Sequence, residues 1–268
     1  MLTTLLLYLV LGSVAGVVAG LFGIGGGLLI VPVLIFSFEL QGMSPEVLTH
    51  SAVATSLATI VITSLSSMQA HHKRGAVRWD LFRPLTGGIV VGAVIGAIVA
   101  SQMSGAALQL IFGLFVLAVA VQMALSLKPS AGEKEAGSAS LVGAGGVIGG
   151  LSAIFGIGGG TLSVPYLSWR RVVMQQAVAT SAACGLPIAL AGALTNVWRG
   201  WDHPALADWS LGYVYLPAFV GIVITSTLFA KVGAKLAHSL DGTKLKKMFA
   251  VFLVIVGARL LISNLMGS

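Results

Sequence analysis

The sequence predicts an all-α polytopic membrane protein of two inverted repeats, each a glycine-broken re-entrant helical hairpin followed by three transmembrane helices. Three observations carry that expectation: an apolar composition, an internal duplication and a one-sided distribution of basic residues. The chain is 57% hydrophobic and 9% charged, with a mean hydropathy of +1.00. A soluble domain is roughly half apolar and a quarter charged. Apolar stretches of about 17 to 25 residues recur along the whole length, each long enough to cross a hydrocarbon core of roughly 30 Å as a helix.

The duplication is explicit. Phe22-Gly23-Ile24-Gly25-Gly26-Gly27, running on to Val31-Pro32, returns as Phe155-Gly156-Ile157-Gly158-Gly159-Gly160, running on to Val164-Pro165, at an offset of 133. Ala52-Val53-Ala54-Thr55-Ser56 returns as Ala177-Val178-Ala179-Thr180-Ser181, and Arg74-Gly75 as Arg199-Gly200, both at an offset of 125. Pro84 and Pro217 restore the offset of 133. Residues 1–127 therefore form a first membrane repeat, 128–137 a linker loop and 138–268 a second repeat.

Each half opens with a glycine-broken apolar pair. The N-terminal run lacks a basic n-region and a cleavage site, so its first helix is expected to be retained. Three ordinary spans follow, roughly Leu48 to Ala70, Leu81 to Ala100 and Ala107 to Leu127 in the first half. Gln175 to Val197, Trp209 to Phe229 and Leu245 to Leu265 are their counterparts. The pieces after Gly27 and Gly160 amount to roughly 12 to 17 Å of helix, too short to span alone.

Basic residues decide how the broken pairs lie. If each pair made one crossing, fourteen Lys and Arg, Arg259 in the last span left out, would divide seven against seven. If each pair returns to its own side, the count is thirteen against one, with Arg199 alone on the minority side. That asymmetry is what the positive-inside rule requires, and it gives six spans, two hairpins and both termini outside. Two full crossings by each pair would give the same count. Three crossings per half invert one repeat relative to the other.

A Gly-rich turn deep in a membrane frees backbone N–H groups that lipid cannot satisfy. Where it opens a helix, those groups and the positive end of the dipole suit an anion. The backbones of Gly23, Gly25, Gly26 and Gly27, and of Gly156, Gly158, Gly159 and Gly160, are thus substrate-binding candidates; close helix packing is the competing use of such glycines. Thr55, Ser56, Thr180 and Ser181 are the side-chain candidates, because hydroxyls donate to oxyanions without a buried charge. Packing or back-bonding competes for each of them. Ser51, Thr55, Thr59, Thr63 and Ser67 repeat every four residues and give one helix a hydroxyl face. Arg74, in the run His71-His72-Lys73-Arg74, marks one mouth, with Asn196 and Arg199 at the other.

Several function classes drop out. The net charge of +7 follows from loop topology, so nucleic acid is not a partner. Cys184, the single cysteine, excludes a dithiol relay. The adjacent histidines point in different directions on a helix, which sets metal aside, and no cofactor is implied. The hydroxyls at depth have no base beside them, which argues against an enzyme. A small anionic substrate and membrane lipid are the partners, and a homo-oligomer is left open.

With its duplicated Gly-x-Gly-Gly-Gly followed by Val-Pro, joined to Ala-Val-Ala-Thr-Ser, the chain closely resembles the sulfite exporter TauE/SafE family over essentially its whole length. The resemblance implies a bacterial inner-membrane transporter, usually an exporter, of sulfite, organosulfonates or related sulfur anions. It also implies about eight hydrophobic segments, against six spans and two hairpins from charge. An anion channel, or a carrier of another small oxyanion, is the alternative.

Overall fold

The computed structural model describes residues 2–22, 27–125, 137–237 and 242–266. Ten helices account for nearly all of them: α1 (Leu2–Phe22), α2 (Gly27–Leu40), α3 (Pro45–Lys73), α4 (Trp79–Gln102) and α5 (Gly105–Ala124), then α6 (Ser138–Phe155), α7 (Gly160–Trp169), α8 (Met174–Arg199), α9 (Leu216–Ala237) and α10 (Gly242–Met266). The fold is that of an all-α polytopic membrane protein. Helices α3, α4, α5, α6 and α8 are each long and apolar enough to cross a bilayer. The predicted linker lies almost wholly outside the described residues, as do Gly23, Gly25 and Gly26.

One predicted boundary is corrected. The span expected from Trp209 begins only at Leu216, because Ser210–Leu211 and Val214–Tyr215 pair as a short antiparallel ribbon, β1 and β2. Trp209 and Gly212 both have positive φ, 67° and 54°, a conformation no helix interior accepts. Pro217 then falls in the first turn of α9, where it fits.

Helix directions follow from who touches whom. A methyl group added at Gly88 would strike Val142, one at Gly92 would strike Gly146, and one at Gly96 would strike Gly150, so α4 and α6 run parallel with their backbones in contact. Small residues permit that approach, which is how helices associate where lipid removes the hydrophobic drive. Gly12 and Gly16 meet Ile222, Thr225 and Ser226 in the same way, so α1 and α9 are also parallel. By contrast, Leu57 meets Gly192 while Ser64 meets Gly185, which makes α3 and α8 antiparallel. Helices α5 and α10 are antiparallel too, since Gly113 lies against Leu261 and Gly257 against Leu117.

Both glycine-broken pairs return to the end they started from. Gln41, just past α2, donates to the Tyr8 hydroxyl near the start of α1 at 2.6 Å. Arg170, just past α7, donates to Ser140 in the first turn of α6 at 2.8 Å. The first pair opens toward the end of the bundle that carries Arg199, and the second toward the end that carries Arg74.

The two ends differ in charge. Among the described residues, Lys73, Arg74, Arg78, Arg83, Arg170, Arg171 and Lys247 gather at one end with Asp80, whereas Arg199 and Arg259 share the other with Glu39, Glu46, Asp202 and Asp208. Trp198, Trp201 and Trp209 are exposed at the Arg199 end, and Trp79 and Trp169 stand at the Arg74 end, as two interfacial belts require.

Candidate functional site

The second glycine turn is laid down by the end of α6. Gly156 adopts φ 63°, and its N–H and that of Ile157 both donate to the Ser152 carbonyl. The chain then reverses through Gly158 and Gly159 into α7, whose first amides are left without helical partners. Gly159 lies directly on α8, where an added Cβ would sit 2.5 Å from the Ser181 carbonyl oxygen and 3.0 Å from the Gly185 nitrogen.

Gly27, the last glycine of the first turn, touches the second turn. A Cβ on Gly27 would be 2.8 Å from the Gly156 carbonyl oxygen, the Ile157 Cα and the Ile60 Cδ1. The meeting point therefore lies at mid-height of α3. Gly27, Gly156, Gly158 and Gly159 are all buried there.

The four candidate hydroxyls divide by role. Thr55 Oγ1 accepts the Tyr215 amide at 3.0 Å, just ahead of α9, and Thr180 Oγ1 accepts the Arg78 amide at 3.0 Å, just ahead of α4. Each pins the start of a helix in the other half. Ser56 donates to the Gly156 carbonyl at 2.8 Å. Ser181, only 1% exposed, has no hydrogen-bond partner. Further along the hydroxyl face, Thr59 and Thr63 donate to carbonyls of their own helix.

The sequence argument missed Ser152, Thr161 and Ser163, whose hydroxyl oxygens are buried around the second turn and have no partner. A comparison of the halves could have found them: at the offset of 133, Ala19, Leu28 and Ile30 stand in their places. Unpaired hydroxyls in an apolar interior each cost a few kcal/mol unless something satisfies them.

The mouth candidates lie at opposite ends. Arg74 caps α3 and is exposed. Arg199 ends α8 and donates to Ser101 at 2.9 Å, its guanidinium 5.8 Å from the Trp198 ring centre. Asn196 is buried, with its amide turned back onto the Gly192 carbonyl. Beside the Arg199 end, a cavity of about 270 Å³ is lined by Gln41, Met43, Ser44, Ala205, Ala207 and Tyr215, among others. Burial raises the Tyr213 phenol above its usual range, against a smaller opposing pull from Arg199. No cluster of potential metal ligands occurs among the described residues.

Residues 8–260 match the family described as sulfite exporter TauE/SafE. The chain belongs to that family. A probable membrane transporter protein of Haemophilus influenzae is 39% identical over 261 residues, 96% of this chain and 97% of that one. A probable membrane transporter protein of Methanocaldococcus jannaschii is 30% identical over 260 residues, covering 96% and 95%. One of Bacillus subtilis is 28% identical over 273 residues, covering 94% and 95%. No solved structure matches. This TauE/SafE protein is accordingly a multi-pass membrane transporter rather than an enzyme.

Proposed function

We propose that this TauE/SafE protein exports a small sulfur-containing anion, sulfite or an organosulfonate, across the bacterial inner membrane by alternating access between two inverted repeats. The observation that carries the reading is the contact of Gly27, at the start of α2, with the second glycine turn at mid-height, beside buried hydroxyls that lack partners. Helix amides and neutral hydroxyls hold an anion without a buried counter-charge. The glycines of both turns, with Ser56 and Ser181 and the hydroxyls of Thr55 and Thr180, form the substrate site in this reading.

Support for inversion comes from the equivalent pairs α3/α8 and α5/α10, which run antiparallel. A repeat axis along the helices would leave them parallel. Helices α2 and α7, with 14 and 10 residues, reach only about 21 and 15 Å, which favours hairpins that re-enter over full crossings. The basic Arg74 end then faces the cytoplasm. The family's description supports both sulfite and outward flux.

Proteoliposomes loaded with unlabelled sulfite test the proposal by uptake of radiolabelled sulfite. Saturable uptake accelerated by internal sulfite is expected of a carrier. Uptake that rises linearly without exchange would mean a channel, and none at all would overturn the substrate.

A further inference from the structure

His50 lies in the second turn of α3 at the Arg199 end, 5% exposed, and anion binding at the glycine turns gives it no task. Its Nε2 is 3.1 Å from the Ala100 carbonyl oxygen at the end of α4. A carbonyl can only accept, so Nε2 carries the proton and Nδ1 holds a lone pair. That Nδ1 is buried and has no partner.

The lid over His50 is the connection between α8 and α9. The Tyr213 ring, in the ribbon turn, stacks on the His50 ring at 5.2 Å and 28°. His203 packs against the same Tyr213 at 5.8 Å, with its Nε2 3.6 Å from Glu46 Oε1. The charged and titratable groups about this stack are Tyr213 and His203 from the connection, Glu46 from α3 and Arg199 from the end of α8. The end of α4 offers the Ala100 and Met103 carbonyls, and the Glu46 carbonyl, one turn back on α3, also lies near the ring. The same connection supplies Ala205, Ala207 and Tyr215 to the mouth cavity, and it is tied to α3 through the Tyr215 amide on Thr55. The second half has no equivalent: the residue at the offset of 125 is Gln175, which is exposed.

We infer that His50 is a proton-binding site of the transport cycle, and that proton uptake at Nδ1 lifts the Tyr213 turn and opens the mouth at the Arg199 end. The proton comes from the solution at that mouth and returns to it when the turn closes. An added charge at Nδ1 meets an aromatic face and has no partner in hydrogen-bonding geometry, the Glu46 and Met103 carbonyls lying near the ring without pairing to it, so the closed arrangement holds the imidazolium poorly, whereas an opened turn admits water to it. Among the described residues His50 is the one histidine buried with an unpaired ring nitrogen, His71 and His72 at the Arg74 end being half-buried and exposed, so a pH difference across the membrane acts on the two mouths unequally. This makes the opening of one mouth depend on the pH it faces, and it rests on the transporter reading only for its purpose, since the opening itself needs no anion.

The test is the reactivity of Ala205→Cys with a membrane-impermeant maleimide, in full-length protein carrying Cys184→Ser, at about pH 6 and about pH 8, either side of the ordinary imidazole value. The same measurement with His50→Gln added cancels the intrinsic pH dependence of the thiol. The labelling rate with His50 intact, divided by the rate in the His50→Gln variant, is expected to exceed about threefold at the lower pH and to approach one at the higher. His203→Gln should keep that response. A ratio unaffected by pH, or a response lost in His203→Gln and kept in His50→Gln, would overturn the assignment. Should His50→Gln fail to fold, Tyr213→Ala decides: the labelling rate with Tyr213 intact, divided by the rate in the Tyr213→Ala variant, is expected to approach one at the lower pH and to fall well below one at the higher, and a ratio unaffected by pH contradicts the lid. Since no anion is present, a negative result here is separate from a failure of sulfite transport.

Discussion

Ser56, midway along α3, donates its hydroxyl proton to the Gly156 carbonyl across 2.8 Å of space and 100 residues of sequence. Its repeat counterpart, Ser181, keeps a buried hydroxyl with no partner. One motif thus serves two ends, holding a turn in the first half and leaving a free donor in the second. Ser56→Ala is expected to lose about 1 to 2 kcal/mol, read as a lower Tm in detergent. Ser181→Ala is expected to stay within about 0.5 kcal/mol of the parent in stability while losing most of the thermal shift that sulfite induces.

Gly27 is the point where the first turn meets the second. The atoms a methyl group would meet there include the Gly156 carbonyl oxygen and the Ile157 Cα, both at 2.8 Å and both backbone. Neither can rotate away. Gly27→Ala is therefore expected to push the turns apart, costing roughly 1 to 3 kcal/mol and abolishing the sulfite shift. Gly87→Ala on α4, with nothing within 4 Å, is the matched control and should be neutral or stabilising by up to about 1 kcal/mol.

Much of this was legible in the sequence. The duplicated glycine runs located the turn between α6 and α7, while the glycines of the first run other than Gly27 lie outside the described residues. The ribbon was not legible, because Leu211, Tyr213, Val214 and Tyr215 read on into the apolar run of α9 and the reversal depends on the backbone at Trp209 and Gly212. That the Thr55 and Thr180 oxygens receive the Tyr215 and Arg78 amides is a long-range fact no periodicity encodes. Ser152, Thr161 and Ser163 could have been found, since they differ from their counterparts in the other half.

Those two threonines yield a prediction of their own. Thr55→Val leaves the Tyr215 amide without its acceptor, and Thr180→Val does the same to Arg78, each at an expected cost of about 1 to 3 kcal/mol. Serine at either position should restore most of the Tm, because it keeps the oxygen.

The contact between α4 and α6 admits no side chain at Gly92, where an added Cβ runs into the Gly146 carbonyl oxygen. Gly92→Leu is expected to separate the two helices and to give aggregated rather than monodisperse protein on size exclusion. Val91→Leu, one residue away and 60% exposed, should leave the profile unchanged.

The account turns on the meeting glycine turns being an anion site open to one side at a time. Ser181→Cys in a Cys184→Ser protein measures this in sealed vesicles of known orientation. A small membrane-impermeant thiol reagent is expected to label it from either side, and sulfite, but not chloride, should slow both reactions. Labelling from neither side, or labelling that sulfite leaves unchanged, would contradict the site at the centre of this account.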